Sequence, residues 1–394
     1  MKNKIHNGIF APFYSFFKRE SAGGLVLLMC SIVAIIFVNC GFSQIYDSIL
    51  HKNITIGYGE FSLSMSVLHW INDGLMTVFF FVVGMEIKRE LTIGELKSIK
   101  RTILPVSGAI GGMILPAIIY VVFNYGKPTI TGWAIPMATD IAFALGILSI
   151  AAKKVPKAIV VFLTALAIVD DLGAIVVIAI FYTDRISWIA FITGLIVLSI
   201  LILANKFKIR ALSLFIIGGL VLWVCFLKSG IHSTISGVLL GMIMPAGRDV
   251  EEFKTSMLYK FEYILTPWSS FLVMPMFALA NSGIIIDINN FSMMMLSPVS
   301  LGIMCGLFIG KPVGIFGVSY ILIKLGIVEL SPQVTQKHLY GASVFGGIGF
   351  TMSLFISSLA FSDQIMLSTA KMSIMISSIM AGIFGTMVFK LTKY

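Results

Sequence analysis

Long apolar stretches recur along the whole chain and constrain its fold more than any other feature. A helix needs about 20 apolar residues to cross roughly 30 Å of hydrocarbon, so each stretch is a candidate membrane span. The predicted cores lie near residues 23–39, 67–92, 102–123, 131–151, 158–182, 187–204, 211–227, 231–244, 262–281, 299–323, 339–360 and 367–389. With 58% hydrophobic residues and a mean hydropathy of +1.00, residues 1–394 are expected to form one all-α, polytopic membrane domain of twelve spans.

The basic residues predict how these spans are oriented. If both termini are cytoplasmic, most of the 28 lysines and arginines fall in inner loops, and few fall outside. Basic residues also precede the first apolar run without an A-x-A cleavage site, so we expect a retained first helix. The predicted location is a bacterial inner membrane. Because the charge is spread over short loops rather than one soluble face, the net charge of +10 does not predict a nucleic-acid partner.

One outer loop, residues 40–66, carries a different pattern. Ile54, Ile56, Phe61 and Leu63 alternate with other residues around a glycine-containing centre, which predicts a β-hairpin near 54–63. A lone hairpin is marginally stable, so this one could pair with the hairpin of a second copy.

Ionisable residues inside apolar runs are costly and therefore mark candidate functional positions. The clear cases are Asp73, Asp140, Asp170, Asp171 and Lys311. Asp170 and Asp171 are adjacent and lie midway along the fifth span. Two neighbouring carboxylates at low dielectric cannot both stay ionised cheaply, so a proton or a cation should occupy the site. Oxygen ligands suit a hard cation such as Na+ or Li+.

Helix-breaking residues occupy the middle of two spans. Pro136 interrupts the fourth span, and Gly346, Gly347 and Gly349 interrupt the eleventh. Interrupted segments at corresponding positions of two halves are typical of transporters built from inverted repeats, here spans three to five and ten to twelve. We therefore predict two broken helices that cross at mid-membrane.

Crossed broken helices bring like dipole ends together, and these ends need charges of opposite sign. Asp140 and Lys311 have the required signs. Three alternatives stay open: Asp140 could transfer protons as well as balance helix ends, and Lys311 could reach an interface. Asp170 and Asp171 could also form only a structural ion pair with Lys311.

Several strings in the same order resemble the NhaA-type sodium/proton antiporters. They are WINDGL at 70–75, GMEIKREL at 84–91, WAIPMATDIAFALG at 133–146, ALAIVDDLG at 165–173, LKSGIH at 227–232, IGKPVG at 309–314 and GGIGFTMS at 346–353. The resemblance implies Asp171 as the principal ion and proton carrier, with Asp170 sharing the site and pairing with Lys311. It places Thr139 and Asp140 at the helix crossing.

The resemblance also implies properties beyond the ion site. Exchange would be electrogenic, with more protons entering than sodium ions leaving. A pH-sensing cluster would comprise Glu86, Arg89, Glu90 and Glu262, although the spacing of the first three also suits an ordinary salt-bridged helix face. The hairpin would be the contact of a homodimer.

Taken together, these patterns predict a secondary antiporter that exchanges intracellular Na+ or Li+ for external H+ and serves sodium and pH homeostasis. We expect no enzymatic activity and no cofactor, with membrane lipid surrounding the chain. The alternatives are a sodium-coupled symporter of an organic anion, with Lys311 binding its carboxylate, and a passive cation channel.

Overall fold

A computed structural model describes residues 20–58, 62–151, 155–183, 186–247, 249–287, 289–331 and 333–392. Most of these residues are helical, which confirms the all-α prediction. The first elements are α1 (Glu20–Phe37), a π-helical turn (Val38–Phe42), α2 (Ser43–Leu50), β1 (Asn53–Ile56), β2 (Leu63–Ser66), α3 (Val67–His69), a π-helical turn (Trp70–Leu75), α4 (Met76–Thr92), a 3-10 turn (Glu95–Lys97) and α5 (Ile99–Asn124).

The middle of the chain contains the elements that carry the adjacent aspartates. They are a 3-10 helix (Pro128–Met137), α6 (Ile141–Ala151), α7 (Lys157–Phe181), α8 (Trp188–Lys206), α9 (Leu212–Ser229), α10 (Thr234–Ile243), α11 (Val250–Thr255), α12 (Met257–Trp268), a π-helical turn (Ser269–Val273) and α13 (Met274–Asn281). The last elements are α14 (Phe291–Met295), α15 (Pro298–Cys305), a π-helical turn (Gly306–Gly310), α16 (Lys311–Lys324), α17 (Gln336–Gly346), α18 (Phe350–Ala360) and α19 (Gln364–Leu391).

The number of helices that can cross a membrane differs from the predicted twelve. Among the described residues, ten helices are long and apolar enough, and an eleventh span results if the pair Pro128–Met137 and Ile141–Ile150, bent by 47°, counts as one. The predicted eighth span contains only α10, whose ten residues rise about 15 Å, half the hydrocarbon thickness. The structure therefore shows a polytopic helical membrane fold with ten or eleven spans by length and composition.

The described residues of segment 40–66, which was predicted as an outer loop with a hairpin, include a helix as well as two strands. The segment contains helix α2 (Ser43–Leu50), which follows a kink where Gly41 has a φ of 94°. Strands β1 and β2 then pair antiparallel, with Ile54 opposite Met65. Phe61, which the hairpin prediction used, lies outside the described residues.

Close helix packing brings α16 and its first residue, Lys311, to the centre of the fold. Gly111 on α5 and Gly314 on α16 face each other so closely that a Cβ on either would overlap the other's backbone. Small residues permit such contacts between membrane helices.

The eleventh predicted span, α17 with α18, lies deepest in the protein. In its most apolar 18-residue window 89% of residues are buried, against 17% for α8. The interrupted helix is therefore surrounded by protein, whereas α8 lies at the periphery.

Candidate ion-binding site

The two predicted helix interruptions contact each other. Three residues separate the end of the 3-10 helix Pro128–Met137 from the start of α6, and three separate the end of α17 at Gly346 from the start of α18 at Phe350. The backbone N–H of Asp140 donates a hydrogen bond of 2.6 Å to the carbonyl of Ile348. The hydroxyl of Ser353 donates to the carbonyl of Ile135 at 2.7 Å. Backbone groups freed by one interruption are thus satisfied by the other.

The predicted hinge residues lie at these interruptions and permit close approach. Pro136 is in the final turn of the 3-10 helix and packs against Gly306, where a Cβ would lie 2.8 Å from the proline Cβ. A Cβ on Gly349 would lie 2.9 Å from the carbonyl oxygen of Ala138. Gly346 and Gly347 are similarly confined, by Ile315 and by the backbone of Leu307. Larger residues at these positions would push the two interrupted segments apart.

Asp140 caps the amino ends of two helices. One carboxylate oxygen accepts a hydrogen bond of 2.9 Å from the N–H of Phe143 in the first turn of α6. The other accepts from the N–H of Thr351 at 3.0 Å and from its hydroxyl at 2.5 Å, in the first turn of α18. A carboxylate there is favoured by unpaired N–H groups and by the positive ends of both dipoles.

Lys311 lies on the opposite side of the crossing and is completely buried. Its ammonium group donates a hydrogen bond to the carbonyl of Met137, the last residue of the 3-10 helix. It also lies 2.7 Å from Oδ2 of Asp170. Lys311 thus pairs with one of the two aspartates and with a helix carboxyl end, and in this structure it does not reach an interface.

Thr139 links the first interruption to the aspartates. Its hydroxyl oxygen lies 2.6 Å from Oδ2 of Asp170 and 2.9 Å from the carbonyl oxygen of Gly346. Asp170 Oδ2 is therefore shared by Lys311 and Thr139. This geometry brings together five predicted residues, Thr139, Asp140, Asp170, Asp171 and Lys311, around the helix crossing.

Asp171 differs from its neighbour in its surroundings. Asp170 is completely buried, whereas Asp171 retains 4% exposure. Within the described ranges, no group donates a hydrogen bond to Oδ1 of Asp170 or to Oδ1 of Asp171. Unpaired carboxylate oxygens are costly at low dielectric, and one lysine cannot balance two negative charges. The donor set fits a small, hard cation or a proton.

Comparisons with known proteins assign the chain to a family. A family profile described as Na+/H+ antiporter 1 matches residues 14–389. The chain belongs to the Na+/H+ antiporter 1 family. It is 67% identical over 394 residues to Na(+)/H(+) antiporter NhaA 2 of Clostridium beijerinckii, covering 100% of this chain and 98% of the relative. It is 44% identical to Na(+)/H(+) antiporter NhaA of Haemophilus influenzae strain 86-028NP over 96% of this chain and 94% of the relative.

A solved structure shares the fold of this Na+/H+ antiporter 1 family member. The sodium proton antiporter MjNhaP1 from Methanocaldococcus jannaschii superimposes with a TM-score of 0.61 at 15% identity, covering 96% of this chain and 100% of that one. At this identity the likeness concerns the fold alone.

A cavity of about 560 Å³, here called the vestibule, opens beside the crossing of the two interrupted helices. Its lining residues are Glu86, Arg89, Ile141, Ala142, Leu145, Thr164, Phe253, Tyr259, Glu262, Tyr263, Thr266, Pro267, Ser270 and Phe271. One lining residue is Ile141, which follows Asp140 in the chain. The vestibule therefore approaches the aspartates of this family member from the carboxyl end of α4 and the amino end of α12.

Three of the four predicted pH-sensing residues line the vestibule, and the fourth adjoins it. Arg89 forms an ion pair with Glu262 and a second one, 3.2 Å long, with Glu90. Glu86 faces the same cavity. Glu90 also accepts a hydrogen bond of 3.0 Å from the N–H of Glu95. The structure thus joins residues 173 positions apart in sequence, Arg89 and Glu262, in one cluster.

Sequence reasoning did not identify three further contacts of this family member. Thr351 binds Asp140, and its position two residues after the glycines is the only local signal. Asp73, whose role the sequence left open, lies with its carboxylate 3.6 Å from a ring nitrogen of His69 and 3.6 Å from one of His232. His232 follows the WINDGL segment by 157 or more positions, so no spacing pattern links them.

Proposed function

We propose that this protein exports Na+ or Li+ from the cytoplasm in exchange for external protons, and that Asp170 and Asp171 form the shared binding site. One observation carries the proposal: two adjacent buried carboxylates face a single buried lysine, and each retains an oxygen without a hydrogen-bond donor in the described part of the chain. Membership of the Na+/H+ antiporter family supports it.

The exchange follows from charge balance. Lys311 offsets the charge of Asp170, so a proton or a cation must offset the charge of Asp171 in this dry region. A carboxylate has to lose its proton before it coordinates a metal ion, so the two ligands exclude each other. Each ion therefore leaves before the other binds, which couples their movements in opposite directions.

The orientation and location rest on the distribution of basic residues. With both termini in the cytoplasm of a bacterial inner membrane, the vestibule opens to the cytoplasm, next to the basic segment 88–101. In this arrangement α10 and the residues before it form one further crossing, the eighth in chain order. Helix α10 packs along α4 through Gly84, Gly237 and Gly241. The topology then has twelve crossings.

Regulation by pH would act at the vestibule. Its ion-pair cluster contains three carboxylates and the guanidinium of Arg89, so the mouth of the cavity carries net negative charge when all are ionised. Electrogenic exchange requires more than one proton per sodium ion, and the pair Asp170 and Asp171 supplies two carboxylates for it.

A homodimer would form through the hairpin. Every residue of β1 is exposed, including Ile54 and Ile56 at 45% and 57%. An exposed apolar edge of two short strands is a ready surface for pairing with a second copy.

The test is sodium-driven dissipation of a proton gradient in proteoliposomes. Wild-type protein should collapse the gradient on addition of Na+ or Li+ and should drive sodium uphill when a proton gradient is imposed. Asp171→Asn should abolish both, whereas Asp287→Asn, in an exposed loop, should leave both intact. Sodium movement without proton coupling would indicate a channel, and dependence on an organic anion would indicate a symporter. Either result would overturn the proposal.

A further inference from the structure

Thr164 occupies a position between the vestibule and the paired aspartates. It lies on α7 seven residues before Asp171, and seven residues make nearly two full helical turns. The two side chains therefore share one face of the helix, about 10 Å apart along its axis. Thr164 lines the vestibule, whereas Asp171 is not among the lining residues described.

The hydroxyl oxygen of Thr164 presents its lone pairs to other partners. Its oxygen donates its one hydrogen to the carbonyl of Val160 at 2.9 Å, so only lone pairs remain for other partners. A hydroxyl oxygen with its hydrogen already committed is a suitable ligand for a hard cation.

The vestibule also attracts cations to this oxygen. Glu86 and Glu262 line the same cavity with Arg89, and carboxylates in a cleft raise the local concentration of cations. Helix α6 contributes three apolar lining residues, Ile141, Ala142 and Leu145. A sodium ion that moves inward therefore loses water on one side, and Thr164 offers an oxygen on α7.

We propose that Thr164 is a positioning residue for sodium entry: its hydroxyl oxygen transiently replaces a water ligand of the ion between the vestibule and Asp171. The inference rests on the proposed antiport and assigns one step of it. Thr164 is needed for capture of the ion and not for proton exchange at the aspartates.

Thr193 provides a matched comparison. Its hydroxyl makes the same bond to the residue four positions earlier, Ile189, at 2.8 Å, but on the exposed surface of α8. A purely local role for Thr164 predicts equal effects of Thr164→Val and Thr193→Val.

The experiment uses everted membrane vesicles, whose cytoplasmic face is outward, from cells without other sodium/proton exchangers. Thr164→Val should raise the half-saturating Na+ concentration about three- to tenfold and leave the maximal rate within about twofold. Thr164→Ser, which keeps the hydroxyl, should restore the wild-type value. Thr193→Val should match the wild type.

Two results would overturn the inference. One is an unchanged half-saturating concentration in Thr164→Val, and the other is a lower maximal rate with no change in half-saturation. If Thr164→Val does not accumulate, Thr164→Cys gives a second measurement: a cationic, membrane-impermeant thiol reagent should modify it from the cytoplasmic face more slowly in saturating Na+ than in choline. Equal rates would overturn the inference. A wild-type protein without any sodium response would instead overturn the proposed function itself.

Discussion

The ammonium nitrogen of Lys311 lies 2.7 Å from Oδ2 of Asp170, and both side chains are completely buried. This pair joins α16 to α7 directly beside Asp171. A buried ion pair adds little net stability, but removal of one partner leaves an unpaired charge that costs about 3 to 5 kcal/mol. The pair therefore links the stability of the fold to the charge state of the ion site.

Lys311→Gln should lower the thermal stability of the purified protein strongly, because Asp170 then lacks its counter-charge. Asp170→Asn combined with Lys311→Gln should recover most of the loss, and the coupling between the two substitutions should exceed about 1 kcal/mol. Unfolding temperatures of the two single variants and the double variant in one detergent measure this cycle. Additive losses would contradict the pairing.

Asp140→Asn tests whether this residue transfers protons or balances helix ends. Asn keeps one oxygen, so the hydrogen bonds of either Phe143 or Thr351 are lost, at a cost of about 1 to 3 kcal/mol. If Asp140 only balances helix ends, the Asp140→Asn variant should be less stable than the wild type. Its exchange activity should still be measurable, with a pH profile of unchanged shape. Complete loss of exchange in a folded, stable variant would show a direct role in proton transfer.

Glu262→Gln tests the vestibule as the pH-sensing element. Loss of this negative charge also leaves Arg89 less neutralised, and both changes repel protons from the cavity. The pH of half-maximal exchange should therefore move to lower pH by up to about one unit, with the maximal rate preserved. Glu251→Gln, on the exposed helix α11, is the control and should leave the profile in place. A profile that does not move in Glu262→Gln would exclude the cluster from pH sensing.

Removal of the hairpin tests the proposed dimer contact. Asn53 and Ser66 are opposite each other in the strand pair, so two glycines can replace residues 54–65 without strain on α2 or α3. Light scattering of the detergent-solubilised variant should show monomers, with exchange retained. Trp70→Phe is the control, because it removes the bond from the indole N–H to the Ile54 carbonyl while an aromatic ring stays beside Trp223 and the strand pair stays in place. Persistent dimers in the deletion variant would place the contact elsewhere.

Local chemistry explains which parts of the structure the sequence predicted. Pro136 removes a backbone donor and disfavours helix in the residue before it, and three glycines fall within the four positions 346–349, so both interruptions were predictable in position. The buried charges were predictable as a set because any ionisable residue within an apolar run marks a candidate functional position before its partner is known.

Long-range contacts explain what the sequence did not predict. Thr351 and Asp140 are 211 positions apart, and no local pattern relates them. Helix α2 has only eight residues, half of them polar, so the sequence indicated a loop there. The hydroxyl of Tyr46 within it donates a hydrogen bond of 2.8 Å to the carbonyl of Leu279, a tertiary contact. The placement of Glu262 in one cluster with Arg89 was expected from the family resemblance alone, since the spacing of Glu86, Arg89 and Glu90 indicated only an ordinary helix face.

Proton release on sodium binding tests the central claim most directly. Calorimetric titration of the purified wild-type protein with Na+, repeated in buffers of different ionisation enthalpy, measures the number of protons released per bound ion. Because Na+ and H+ compete for Asp170 and Asp171, one to two protons should be released, and the apparent affinity for Na+ should fall about tenfold per pH unit for each displaced proton in the acidic range. Sodium binding of constant affinity across that range, with no proton released, would contradict the account.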